Sequence, residues 1–130
     1  MRYREFRDFV DQRGRNLIHG WLHSLELDAR MEFQEVFRTL EEIQQPSRNE
    51  LKPLTGGVCD GLWEVRLKWK KVQYRPIGFQ GPGKRQLTLV FVATIRDNKF
   101  SPQNACETAK KRKAQVEANP SRRACEHRYD

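Results

Sequence analysis

Residues 62–95 read LWEVRLKWKKVQYRPIGFQGPGKRQLTLVFVATI, and the fold class follows from this stretch. Trp63, Val65, Leu67 and Trp69 alternate with Glu64, Arg66, Lys68 and Lys70. Successive side chains of an extended chain point to opposite faces, so the first four make an apolar face and the second four a charged one. A second extended piece, Val72 to Phe79, carries Tyr74 and Arg75. Pro76 within it lacks a ladder donor, which predicts a bulge or an edge position. Gly81-Pro82-Gly83 predicts a hairpin turn into Gln86–Ile95, which is apolar on both faces and reads as a central strand. The cations Arg66, Lys68, Lys70, Lys71, Arg75, Lys84 and Arg85 face a single acid, Glu64, a net of +6. The stretch predicts a sheet with one apolar and one strongly basic face, and a polyanion is the partner that suits such a face.

Upstream, Tyr3 to Val10 predicts a short strand and Asp11 to Gly14 a turn. Leu17, Ile18, Trp21, Leu22 and Leu25 recur at helical spacing behind Asn16, a suitable N-cap. A second helix follows, with Asp28 as its expected N-cap and Phe33, Val36, Phe37, Leu40 and Ile43 on one stripe that stops before Pro46. Helices joined so tightly predict an antiparallel hairpin, with the Trp63/Val65/Leu67/Trp69 face as its cover. Gln45 to Asp60, with Pro46, Pro53 and Gly56-Gly57, reads as a surface loop. Downstream, Arg96 to Lys99 is a polar turn, and Ser101-Pro102 predicts a helix start with serine at the cap and proline at the first position. Ala105, Ala109 and Val116 would line the inner face of that helix, which Asn119-Pro120 ends. Residues 121–130 read as a charged surface tail. The sum is one α+β domain over residues 1–130.

The 130 residues suffice for a single modest core. A hydrophobic fraction of 37% and a mean hydropathy of −0.88 describe a highly charged chain, and no apolar run approaches the ~20 residues of a membrane span. The first residues show no secretory pattern, and three cysteines at unrelated spacings (Cys59, Cys106, Cys125) favour a reducing compartment, so a cytoplasmic protein is expected. The net charge of +8 is unevenly spread: −2 over residues 1–61, +6 over 62–95 and +4 over 96–130. The excess positive charge thus falls where it can attract phosphates.

His19 and His23 share a helix face, but Gly20 stands where the zinc-protease pattern needs a glutamate, and Cys125-Glu-His127 lacks a second ligand pair. No metal and no cofactor are expected. No Gly-x-Ser-x-Gly elbow or phosphate-cradling Gly-rich loop is present either. What remains is Arg66, Lys68, Tyr74 and Arg75, then Arg96 and Lys99. Attack of a 2′-hydroxyl on its phosphodiester needs a base, cations for the charge growing at phosphorus, and an acid for the leaving oxygen. Arginine suits the middle role through its two-pronged geometry. A lysine, Tyr74 or Glu64 would have to supply the base. Spacing alone leaves phosphate binding without chemistry equally open.

Leu62-Trp-Glu-Val-Arg66, Gln73-Tyr-Arg75, the hydrophobic strand after them, and Lys99-Phe-Ser-Pro102 leading into Ala105–Arg112 resemble the RelE/HigB-type toxins of type II toxin–antitoxin systems, in their phage-derived branch. The resemblance extends through Gly14-Arg-Asn16 and Trp21-Leu-x-Ser-Leu25 upstream, and Asn119-Pro-Ser-Arg122 and Glu126-His127 in the tail. It implies a RelE/ParE-like α+β fold: an N-terminal helical hairpin on a small, mainly antiparallel sheet, plus a C-terminal helix. It also implies a metal-independent endoribonuclease that cuts mRNA on the ribosome, held in check by a cognate helix-turn-helix antitoxin. By position, Glu64 and Arg66 fall in the family's Trp-Glu-x-Arg, and Tyr74 and Arg75 in its Tyr-Arg. The implied catalytic set is Arg75, Arg66, Tyr74 and Glu64, with Lys68, Lys70, Arg96 and Lys99 as RNA contacts. One departure stands out. Relatives carry Gly-Phe and then a Lys-Lys pair where this chain has Ala93-Thr94 and Arg96-Asp97, which leaves Lys99 as the nearest substitute. Two other functions fit the same resemblance: a same-fold toxin acting on a protein such as DNA gyrase, and a non-catalytic nucleic-acid-binding phage-derived protein.

Overall fold

The computed structural model describes residues 2–130. In order the elements are β1 (Glu5–Phe9), α1 (Leu17–Ser24), α2 (Leu27–Glu42), β2 (Leu51–Pro53), a 3₁₀ turn (Gly57–Cys59), β3 (Trp63–Val65), β4 (Leu67–Trp69), β5 (Val72–Gln80), β6 (Gln86–Arg96), β7 (Lys99–Ser101), α3 (Ala105–Ala118), α4 (Pro120–Arg123) and β8 (Ala124–Glu126). The fold class is α+β. The sheet is larger than expected, with eight strands in the order β2-β3-β5-β6-β1-β8, β4 also on β5 and β7 also on β6. It is also mixed, because β1 runs parallel to β6 while the other pairs are antiparallel. Five of the strands have three residues each, too few for a period-two pattern to show in sequence.

The alternation from Trp63 to Trp69 holds. All four apolar side chains join one core with Ile18 and Leu22 of α1 and Phe33, Phe37 and Leu40 of α2. Phe6 of β1 meets Phe37 edge-on at 5.1 Å, and Trp21 stacks on Phe33 at 6.0 Å. The opposite face is not uniformly basic. There α3 covers Ile77, Phe79, Val90 and Ala93 with Ala105, Cys106, Ala109 and Val116, the three expected inner positions among them.

Pro76 lies in an interior strand, since β5 has neighbours on both sides, and the predicted irregularity falls one residue later. The register shifts between Ile77 and Gly78, so Val90 of β6 is the extra residue of a bulge. Arg112 of α3 donates to the Val90 carbonyl at 2.9 Å and lies over the rings of Phe9 and Phe91. A side chain at Gly78 would collide with the Thr88 backbone, so only glycine fits.

Asn16 caps α1 as expected, its side chain accepting from the His19 N–H at 2.9 Å. The cap of α2 is Glu26 rather than Asp28, and Glu26 makes no side-chain cap bond. Its carboxylate is occupied by the indole N–H of Trp69 and by Lys70. The helix expected from Ser101-Pro102 begins at Ala105 instead, because Ser101 is held in the β6–β7 ladder opposite Thr94. Residues 45–60 are not all surface loop, since β2 pairs with β3 and Leu51 is buried.

Residues 121–130 are not a surface tail. β8 pairs with β1, and His127 is buried, with Nδ1 2.7 Å from Asp8 Oδ1 and Nε2 2.7 Å from Gln34 Oε1. Cys59 and Cys106 form a disulfide across 47 positions, against the reducing compartment expected from the cysteine spacings, and Cys125 is the free cysteine among the described residues. The pairing was illegible because the two sulfurs meet only when the 3₁₀ turn docks on α3. Among the described residues, no helix is long and apolar enough to cross a membrane.

Candidate functional site

Where α3 stops covering the sheet, a groove of about 520 Å³ opens, lined by Lys52, Glu64, Arg66, Gln73, Arg75, Asn98, Lys99 and Gln103. Leu54, Ile95 and Phe100 supply its apolar lining. Five strands, β2, β3, β5, β6 and β7, bring these residues together. Glu64 pairs across β3–β5 with Ile77 and across β2–β3 with Lys52, so a cation sits beside it on the neighbouring strand. The β4–β5 ladder continues the same register, which sets Arg66, at the break between β3 and β4, level with Arg75. Arg96 pairs with Lys99 around the β6–β7 turn and lines an adjoining depression with it. Lys68 lines a further hollow that shares Arg66, Gln73 and Arg75. The result is a continuous furrow with cations along its length.

At the centre is Glu64, only 5% exposed. Its Oε2 is 3.6 Å from Arg66 Nε and its Oε1 3.8 Å from Arg75 Nε. Both separations exceed the roughly 2.7–3.2 Å of a formed hydrogen bond, so the carboxylate is held by charge without being tied by either arginine. Lys52, Arg66, Arg75 and Lys99 against Glu64 leave the groove at a formal +3.

The two arginines differ. Arg75 is 4% exposed and donates to the carbonyls of Tyr74 at 3.0 Å and Leu67 at 3.5 Å and to Gln73 Oε1 at 2.8 Å. Burial pulls its guanidinium below the usual arginine range; Glu64 opposes that shift and Arg66 adds to it. Arg75 is therefore a packed, positioned cation and not the open-face residue that its place in the sequence suggests. Arg66 is partly exposed, and its guanidinium makes no hydrogen bond among the described residues. It is the arginine available to a phosphate.

Glu64, Arg66, Arg75 and Lys99 thus converge in one groove, with Lys68 and Arg96 on its margins. Tyr74 and Lys70 do not join them. Tyr74 packs on the helical side against Trp21 and Phe33, at 5.8 and 5.6 Å between ring centres. Neighbours on a strand point to opposite faces, so Tyr74 and Arg75 cannot share a site. Lys70, at the β4–β5 turn, is 3.2 Å from Glu26 at the start of α2 and so belongs to a structural ion pair. The sequence reading missed Lys52, Gln73, Asn98 and Gln103. Gln73 was legible, since it alternates with Arg75; the others arrive through β2 and the turns. One carboxylate among cations makes no metal-ligand set in the groove.

Comparison of the chain with family models, characterised proteins and solved structures finds no match.

Proposed function

We propose that this protein is an endoribonuclease of the toxin kind its sequence resembles, with Glu64 as the base and Arg66 as the phosphate-holding residue. The observation that carries the reading is the buried Glu64 carboxylate, poised 3.6–3.8 Å from two guanidiniums on the floor of an open cationic groove. In the proposed reaction Glu64 accepts the proton of the ribose 2′-hydroxyl. The freed oxygen attacks phosphorus, the bond to the 5′-oxygen breaks, and Lys99 or water returns a proton to that leaving oxygen. The products are a 2′,3′-cyclic phosphate and a 5′-hydroxyl end. Arg66 meets the charge on the phosphoryl oxygens, and Arg75 holds the local field that keeps Glu64 in place. The order strand, two helices, antiparallel strands and helix supports a RelE/ParE-like fold, and a helix-turn-helix antitoxin is the partner that would go with it.

The test is translation of a defined mRNA by purified ribosomes with the protein added. Cleavage of the message with cyclic-phosphate ends, reduced about 10²–10⁴-fold in Glu64→Gln, is the expected result. The closed hydrogen bonding of Arg75 favours a second reading, phosphate binding without cleavage. RNA retained by the wild-type chain but left intact would select that reading. Growth arrest with intact mRNA and DNA-damage signalling would move the target to a protein such as gyrase.

A further inference from the structure

His19 and His23 stand one helical turn apart on α1, with ring centres 4.2 Å apart. The chain returns to them from the far end of the sequence. β8 pairs with β1, His127 is buried on Asp8 and Gln34, and Gln34 Nε2 donates to the Arg128 carbonyl at 2.9 Å. This strapping delivers Asp130 onto the two histidines. His19 Nε2 is 3.1 Å from Asp130 Oδ1, and His23 Nε2 is 3.0 Å from the Asp130 backbone oxygen. One ligand atom from each of the three side chains lies within 4.8 Å of the others. Arg128 donates to Asp130 Oδ2 at 2.6 Å, which leaves Oδ1 turned towards His19.

We propose that His19, His23 and Asp130 form a binding site for a divalent late transition metal of the zinc class. Two imidazoles and one carboxylate are a donor set for zinc, nickel, cobalt or copper, whereas magnesium and calcium take oxygen ligands throughout. Metal–ligand bonds of about 2.0–2.1 Å in a tetrahedron set ligand atoms about 3.3 Å apart, close to the His19–Asp130 separation. The fourth position is open to water. Because α1 packs on the sheet face opposite Glu64, the ion would clip the C-terminal strap to α1 without entering the groove. Arg30 is the opposing element. Its NH1 is 3.0 Å from His23 Nδ1, and coordination through Nε2 places the ring proton on Nδ1, so the guanidinium has to withdraw. Its positive charge also repels the ion.

The experiment is titration of the untagged full chain with Co²⁺, followed by visible absorption, with Zn²⁺ as calorimetric competitor. One equivalent should bind with a four-coordinate cobalt spectrum. His19→Ala combined with His23→Ala should weaken binding by at least about 100-fold, and Asp130→Asn by about 10-fold, with far-UV circular dichroism unchanged. Arg30→Ala should tighten binding severalfold, a result that a purely structural role for the cluster would not produce. Absence of saturable binding by the wild-type chain overturns the proposal. Affinity unchanged in the double histidine variant overturns it equally, since the ion would then sit on other ligands.

Discussion

Asp8 and Glu64 are both buried acids on strands, each facing a basic side chain, yet their contacts are unlike. Asp8 is closed in completely: Oδ1 is 2.7 Å from His127 Nδ1, Oδ2 accepts from Asn16 Nδ2 at 2.9 Å, and the far ring nitrogen of His127 meets Gln34. Glu64 keeps 3.6 and 3.8 Å from its two arginines and looks into an open groove. A short, fully partnered polar chain in a low-dielectric interior rigidifies what it joins, here the C-terminal strap and the first strand. A loosely held carboxylate beside cations retains the capacity to take a proton or to receive a ligand nearby. The contrast separates groups that hold the fold from groups that can work.

Breaking the closed contact should have the larger effect. His127→Ala leaves Asp8 buried without its base, and urea unfolding should show a loss of about 3–5 kcal/mol, because removing one partner strands the other. Cleavage per folded molecule should be unchanged; a selective loss of activity would place His127 in the site and collapse the distinction. Glu64→Gln should do the reverse. Cleavage should fall about 10²–10⁴-fold, the contribution of a positioned general base. The unfolding midpoint should fall less than in His127→Ala, since the amide keeps the shape and the acid makes no close bond to either arginine. Arg75→Ala sharpens the boundary between the two regions, since this residue borders the groove but is packed like core. It should cost about 2–3 kcal/mol of stability through its lost charge-assisted hydrogen bonds, and reduce cleavage as well. Lysine in its place should recover part of the activity, as it keeps charge but not geometry. The smallest effect is expected at Tyr74. Tyr74→Phe should alter cleavage less than about twofold, because the ring is on the helical side of the sheet. A large loss would mean the sheet faces are assigned wrongly.

Local periodicity carried much of this architecture. The Trp63–Trp69 alternation, the Phe33/Phe37/Leu40 stripe and the Asn16 cap depend on residues a few positions apart, so their physics is written in short words of sequence. The same alternation already separated Tyr74 from Arg75, a signal present in the residues that motif resemblance obscured. The cations clustered in residues 62–95 likewise contribute to the cationic groove, although α3 covers most of the face they were expected to make basic. Three-residue strands offer no period, so β2 and β8 emerge only when longer neighbours present edges for them to pair with.

Tertiary structure alone decided which of two adjacent arginines is open to the groove, since burial of Arg75 and partial exposure of Arg66 follow from the β3–β5 register and from α3 starting only at Ala105. It alone joined Cys59 to Cys106, Asp8 to His127, and Asp130 to His19 and His23. These contacts span from 47 to 119 positions of sequence. Each requires a long loop to be closed, at an entropic cost that no local pattern reveals and that is met only when the whole core forms together.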